Sequence, residues 1–183
     1  MHRAVRAFAL AAALVLLGAS RQPTVFDLSD AVGKQPPALS LVQPDGAELD
    51  LRALRGAPTY VFLFASWCAP CREELPFVRD AYERYGDRVH FVGVDVLDSA
   101  EAARSEIARD AFPFPVAIFP MSALDALVSP YAQLQAGWKY KIPSDFLLDA
   151  SGVVRYAWHG LPVDEQGAPV DVLPDYLTKL GVR

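Results

Sequence analysis

The chain has 183 residues, a net charge of −5 and a pI near 5.1. That length suits one domain with a full hydrophobic core, and the acidic balance excludes a nucleic-acid surface. No run of like charges and no internal repeat interrupts it, and its 52% hydrophobic content is inflated by the N-terminus.

Residues 1–6 include His2, Arg3 and Arg6; the stretch from Ala7 to Leu17 carries no charge, and Gly18, Ala19 and Ser20 are small. This pattern predicts a secretory signal peptide over 1–20. The alternative is an uncleaved N-terminal anchor facing the periplasm, although the apolar run is shorter than the roughly 20 residues that span a bilayer. No cysteine lies near the end of the segment, so lipid attachment through a thiol is excluded. On either reading the folded part, 36–183, is exported.

Arg21 to Pro37 is a mixed lead-in. Ala38–Val42 and Leu49–Leu51 flank Asp45-Gly46, a hairpin signal. Thr59–Phe64 is β-branched and aromatic and predicts a strand. After Cys71, Leu75, Val78, Tyr82 and Tyr85 recur at helical spacing; Pro76 is expected to kink that helix and Gly86 to stop it. Val89–Val96 reads as a central parallel strand covered on both faces. Asp98-Ser-Ala-Glu101 resembles a capping box opening a helix to about Ala111. A short strand at Val116–Phe119 follows, then a helix from Ser122 broken at Pro130. Tyr131–Tyr140 is the least readable stretch. Asp145–Asp149 and Val153–Trp158 flank Gly152 as a second hairpin, and Asp171–Leu180 closes the chain as a helix with Leu173, Tyr176, Leu177 and Leu180 inward. The order predicts an α/β fold, a mixed sheet with helices on both faces.

The two cysteines, Cys68 and Cys71, stand where the strand at 59–64 hands over to the helix. A helix start presents unpaired N–H groups and the positive end of the macrodipole. A thiolate at Cys68 gains from both, so its pKa falls below the free value of about 8.5. Cys71 lies one turn along the same face, close enough for a disulfide. A zinc site lacks further ligands, because His2, His90 and His159 are scattered; His90 reads as a strand-end side chain. A structural staple across so short a loop recovers little chain entropy. The remaining reading is a redox-active dithiol.

With these residues in hand, the chain resembles the exported thioredoxin-fold reductases of the TlpA/ResA/CcmG group, over about Pro36 to Leu180. Four stretches carry the resemblance: Pro44–Ala47 ahead of Leu51–Gly56; Ala65–Pro76 with Trp67-Cys-Ala-Pro-Cys71, Glu74 and Pro76; Ile142–Asp149; and Gly152 with His159-Gly160. It implies a thioredoxin-like domain with an N-terminal β-hairpin extension and thiol–disulfide exchange without metal or organic cofactor. It further implies Cys68 as the attacking thiol, Cys71 as the resolving one and Glu74 as a proton-tuning acid, against the simpler reading of a first-turn carboxylate favoured by the macrodipole. Pro143 matches the family's cis-proline, with the Ile142 backbone offered to an extended substrate. Trp67 and Pro70 complete the expected substrate surface.

The implied partners are disulfide-bearing exported proteins, apocytochrome c among them, and a membrane thiol–disulfide electron donor acting on a monomer. Two rivals are a peroxiredoxin-type peroxidase, for which Pro58 and Thr59 are wrongly spaced from Cys68, and a copper chaperone using Cys68, Cys71 and His159. One departure stands out. Six residues before the first cysteine the group carries a buried acid or amide, and here that position is Phe62. The expectation is that no carboxylate lies beneath the pair, leaving Glu74, water or the substrate to take the Cys71 proton. A second departure is the long Ser129–Lys141 connection before Pro143.

Overall fold

A computed structural model of the protein describes residues 28–36, 41–96, 98–119 and 142–183. The signal or anchor segment, the helix expected from Ser122 and the stretch around Tyr131–Tyr140 lie outside these residues.

The described strands form one seven-stranded sheet in the order β2-β1-β5-β4-β3-β6-β7. At its centre β3 (Thr59–Phe64) runs parallel to β4 (His90–Asp95), and β4 runs parallel to β5 (Val116–Ile118). On the other side β6 (Ser144–Leu148) is antiparallel to β3 and forms a hairpin with β7 (Val154–His159). The N-terminal hairpin, β1 (Leu41–Val42) and β2 (Glu48–Leu49), adds to the far edge through β1 and β5. This is a mixed thioredoxin-like sheet flanked by helices and extended by a hairpin, as the resemblance implied. The hairpin is shorter than its apolar pattern because Leu51 enters a 3-10 turn, Leu51–Ala53, capped by Asp50.

Period-two alternation sends side chains of each strand to opposite faces, and the core divides accordingly. Val61, Leu63, Val92, Val94, Phe146 and Leu148 pack on one face with Leu28 and Ala31. Tyr60, Phe62, Phe64, Phe91 and Leu147 pack on the other, with both cysteines and the inner residues of two helices. These helices are α1 (Ala69–Tyr85), through Leu75, Val78 and Ala81, and α3 (Leu173–Lys179), through Leu173 and Leu177. Between them in the chain lies α2 (Ala100–Asp110). Helix α1 continues through Pro76, whose ring stands on the exposed side. Gly86 caps it with right-handed backbone; glycine is required there by contact, since a Cβ would meet the Tyr82 carbonyl oxygen at 2.7 Å. At α2 the expected box gives way to a single cap. Ser99, not Asp98, receives the Ala102 N–H, at 3.2 Å, and this leaves Asp98 available to the loop before the cysteines.

Candidate active site

Cys68 is the N-cap of α1, and its Sγ accepts the Cys71 N–H at 3.1 Å. Its extended backbone sets the sulfur over the first turn, where orphan N–H groups cluster. Pro70 stands in that first turn, where a missing N–H costs nothing, and is exposed. The cysteines are joined in a disulfide, with Cα atoms 5.2 Å apart, and both are buried. Beside them Trp67 is 59% exposed, a large apolar side chain facing solvent next to the reactive pair.

The loop that delivers Cys68 is held from two sides. Asp98 accepts the Ser66 N–H at 2.5 Å and the Ser66 hydroxyl at 2.9 Å. Arg72 of α1 donates to the Ser66 carbonyl oxygen at 2.7 Å. In the sequence Asp98 reads as part of a helix start; its role in the cysteine loop needs a contact 32 residues away in the chain, which local pattern does not carry.

Glu74 lies one turn beyond Cys71 on the buried side of α1. Directly across is Asp145 of β6, fully buried and in hydrogen-bond reach of the Glu74 carboxyl. Asp145 pairs in register with Phe62, so the expectation of no carboxylate beneath the pair is corrected. Phe62 does occupy the β3 position, and the acid arrives on the same sheet face from the neighbouring strand. The buried Tyr60 hydroxyl donates to Asp145 Oδ1. Burial pushes Glu74 up to about 7, with the bond from Asp145 acting in the opposite sense. Burial, followed by the nearby Glu74, raises Asp145 well above its ordinary value, and burial likewise keeps the Tyr60 hydroxyl protonated. The sequence signal for Asp145 was available: it alternates with Leu147 onto an apolar face of a central strand, where an isolated acid demands a partner.

The Ile142–Pro143 peptide bond is cis. Ile142 packs against the cluster that contains both cysteines, and the Pro143 carbonyl oxygen accepts the Gly160 N–H at 3.1 Å. His159 ends β7, its Nδ1 3.4 Å from the Ser144 hydroxyl. Thr59 begins β3, at the opposite end of that strand from the cysteine loop. The site therefore brings together Trp67, Cys68, Pro70, Cys71 and Glu74 by sequence proximity, and adds Ile142 and Pro143, which immediately precede the neighbouring strand β6. Chemically, a dithiol at a helix start beside buried acids is equipped for thiol–disulfide exchange with coupled proton transfer.

Comparison with known proteins agrees with this chemistry. The AhpC/TSA family profile matches residues 32–157, well over half of the chain. The thiol-disulfide oxidoreductase ResA of Bacillus thuringiensis subsp. konkukian is 24% identical over 150 residues, covering 81% of this chain and 78% of that protein. ResA of Bacillus subtilis is 27% identical over 125 residues, covering 67% and 64% respectively. Among solved structures, a thiol:disulfide interchange protein DsbE from Chlorobium tepidum superposes with a TM-score of 0.66 at 22% identity, over 81% of this chain and 96% of that one. StoA from Bacillus subtilis does so with a TM-score of 0.55 at 19% identity, over 80% and 97%. At these identities the solved structures establish the fold.

Proposed function

Since the chain belongs to the AhpC/TSA family and is a thioredoxin-fold redoxin with a Cys68–Cys71 active pair, we propose that it reduces disulfides of exported proteins outside the cytoplasm. The observation that carries the reading is Cys68 as the cap of α1, where a thiolate is stabilised without any metal. The reduced protein attacks a substrate disulfide with Cys68. Cys71 then displaces the mixed disulfide, and the substrate leaves as a dithiol while the enzyme becomes oxidised. A thiol–disulfide donor at the membrane restores the dithiol.

Glu74 takes the Cys71 proton in the second step. Its position one turn along the helix and its elevated pKa of about 7 support a base poised near neutrality. Exposed Trp67 and Pro70 and the Ile142–Pro143 segment form the surface that receives the substrate. The basic and then apolar N-terminal stretch supports export, by a cleaved signal or by an anchor. Apocytochrome c, whose cysteines must be reduced before haem attachment, is the substrate class proposed first. The peroxidase reading gains no support from Pro58 and Thr59, which sit at the far end of β3 from Cys68.

The test is mixed-disulfide trapping on oxidised exported protein. Cys71→Ser is expected to accumulate the covalent complex with substrate and Cys68→Ser to leave none. Equal trapping by both variants would overturn the assignment of roles. The reduction potential of the pair tests the direction of flow: a value near about −270 mV fits a reductant, and one near about −120 mV would convert the protein to an oxidant.

A further inference from the structure

Glu74 and Asp145 meet away from solvent, one on α1 and one on β6. Among the described residues, no N–H or O–H reaches Glu74 Oε2 or Asp145 Oδ2. Two ionised carboxylates so placed would repel with nothing between them, whereas one proton shared across the contact satisfies both. The surroundings decide which group carries it. Asp145 is enclosed, with no exposed surface, and its Oδ1 already accepts the Tyr60 hydroxyl. Tyr60 packs against Phe91 at 5.3 Å and Trp158 at 6.0 Å between ring centres. Glu74, unlike Asp145, lines a cavity of about 20 Å³ with Tyr60, Phe77, Trp158, Pro162 and Asp171. That is room for about one water. The group with access to water ionises first, and the enclosed one keeps its proton.

We propose that Asp145 is a positioning residue for the exchange reaction: held as the neutral acid, it donates a hydrogen bond to the Glu74 carboxylate and orients it to take the Cys71 proton. This rests on the reading of Glu74 given above. The proton passes from Cys71 Sγ to Glu74. The resulting thiolate attacks Cys68 Sγ, the Cys68–substrate S–S bond breaks, and the substrate sulfur leaves with the electron pair and is protonated by water. The Cys68–Cys71 pair is oxidised and the substrate disulfide reduced, so electrons and protons balance. The Glu74 proton then returns to solvent through the cavity. The other ionisable groups around the cluster are Asp171, paired with Arg84 at 2.7 Å, and Tyr156 and Tyr176, stacked at 4.1 Å. The elevated pKa of Asp145, caused first by burial and then by Glu74, agrees with a neutral acid at that position.

The experiment uses the reduced full-length protein and the small disulfide dithiobis(nitrobenzoate), following the second thiolate release, the Cys71 step, against pH. Wild type is expected to show an inflection near about pH 7, as the position of Glu74 implies. Asp145→Leu removes the donor and moves the inflection up by about one pH unit. Asp145→Asn keeps an N–H donor and holds it within about half a unit of wild type. Infrared difference spectra at about pH 8 are expected to show a protonated carboxyl band that Asp145→Asn abolishes and Glu74→Gln retains. This readout decides the matter even when Asp145→Leu fails to fold. An inflection unmoved by Asp145→Leu, or no such band in wild type, overturns the proposal. If Glu74→Gln leaves the inflection in place, it is instead the prior reading of Glu74 that fails.

Discussion

Glu74 carries two burdens at once, a base in the proposed reaction and a liability to the fold. Its pKa in the native state is about 7, against an ordinary value of 4.5. The folded protein therefore retains a proton that the unfolded chain releases. The contribution of Glu74 is fully present below about pH 4.5 and is lost as pH rises towards about 7. The loss is on the order of 3 kcal/mol. Glu74→Gln is expected to remove that slope and to raise stability at neutral pH, measured by urea unfolding across a pH series. A variant as pH-sensitive as wild type would place the cost elsewhere. A strained, costly acid beside the active pair is what a proton-handling site requires, because only a group denied its ordinary solvation titrates near neutrality.

At the scale of elements, the site depends on how one loop is anchored. Between β3 and α1, Ala65 and Cys68 are buried while Trp67 faces solvent; at Ser66, between them, Asp98, from the start of the next crossover, holds the loop through two bonds. Asp98→Ala is expected to lower stability by about 1.5–3 kcal/mol, the range for hydrogen bonds to a charged acceptor, as a reduced urea midpoint with an unchanged slope. A loss under about 0.5 kcal/mol would mean that the Arg72 contact alone is sufficient. The start of α2 tolerates this diversion because Ser99 supplies its cap. Helix α1 tolerates Pro76 because its anchoring residues, Leu75 and Val78, lie on the inner face while the proline faces outward.

Over the whole molecule, two sets of carboxylates pull the pH dependence in opposite directions. Asp149, in the turn between β6 and β7, gathers the Ser151 and Val153 N–H groups, the Ser151 hydroxyl and Arg155. Partial burial would raise its pKa, but these bonds prevail and hold it at about 2. Its contribution is present above the unfolded value of 3.8 and is lost as pH falls towards 2. Glu74 and Asp145 lose theirs as pH rises. Stability is therefore expected to peak at about pH 4–5, below the usual range of about 5–8, and to fall less steeply above that peak in Glu74→Gln, where the Asp145 contribution remains. Thermal midpoints across pH that peak near 7 in wild type would contradict this balance.

The sequence by itself determined the strand-to-helix placement of Cys68 and Cys71, the alternation that divides the core into two faces, and both hairpins. Each of these is written in residues a few positions apart, where spacing converts directly into geometry: Cys68 to Glu74 span the N-cap and first turns of one helix, and Gly152 has the positive φ, +79°, that its turn requires. The tertiary structure alone decided where the buried acid comes from. Position 62 holds phenylalanine, and no local pattern says that residue 145 will stand beside it. That pairing is a matter of register between strands 83 residues apart, fixed when apolar residues on both faces of β6 find their neighbours. The same holds for Asp98 at the cysteine loop. Contacts of this kind arise from packing of the whole chain, so the chemistry of the site is completed by side chains whose partners are unknown until the sheet is assembled.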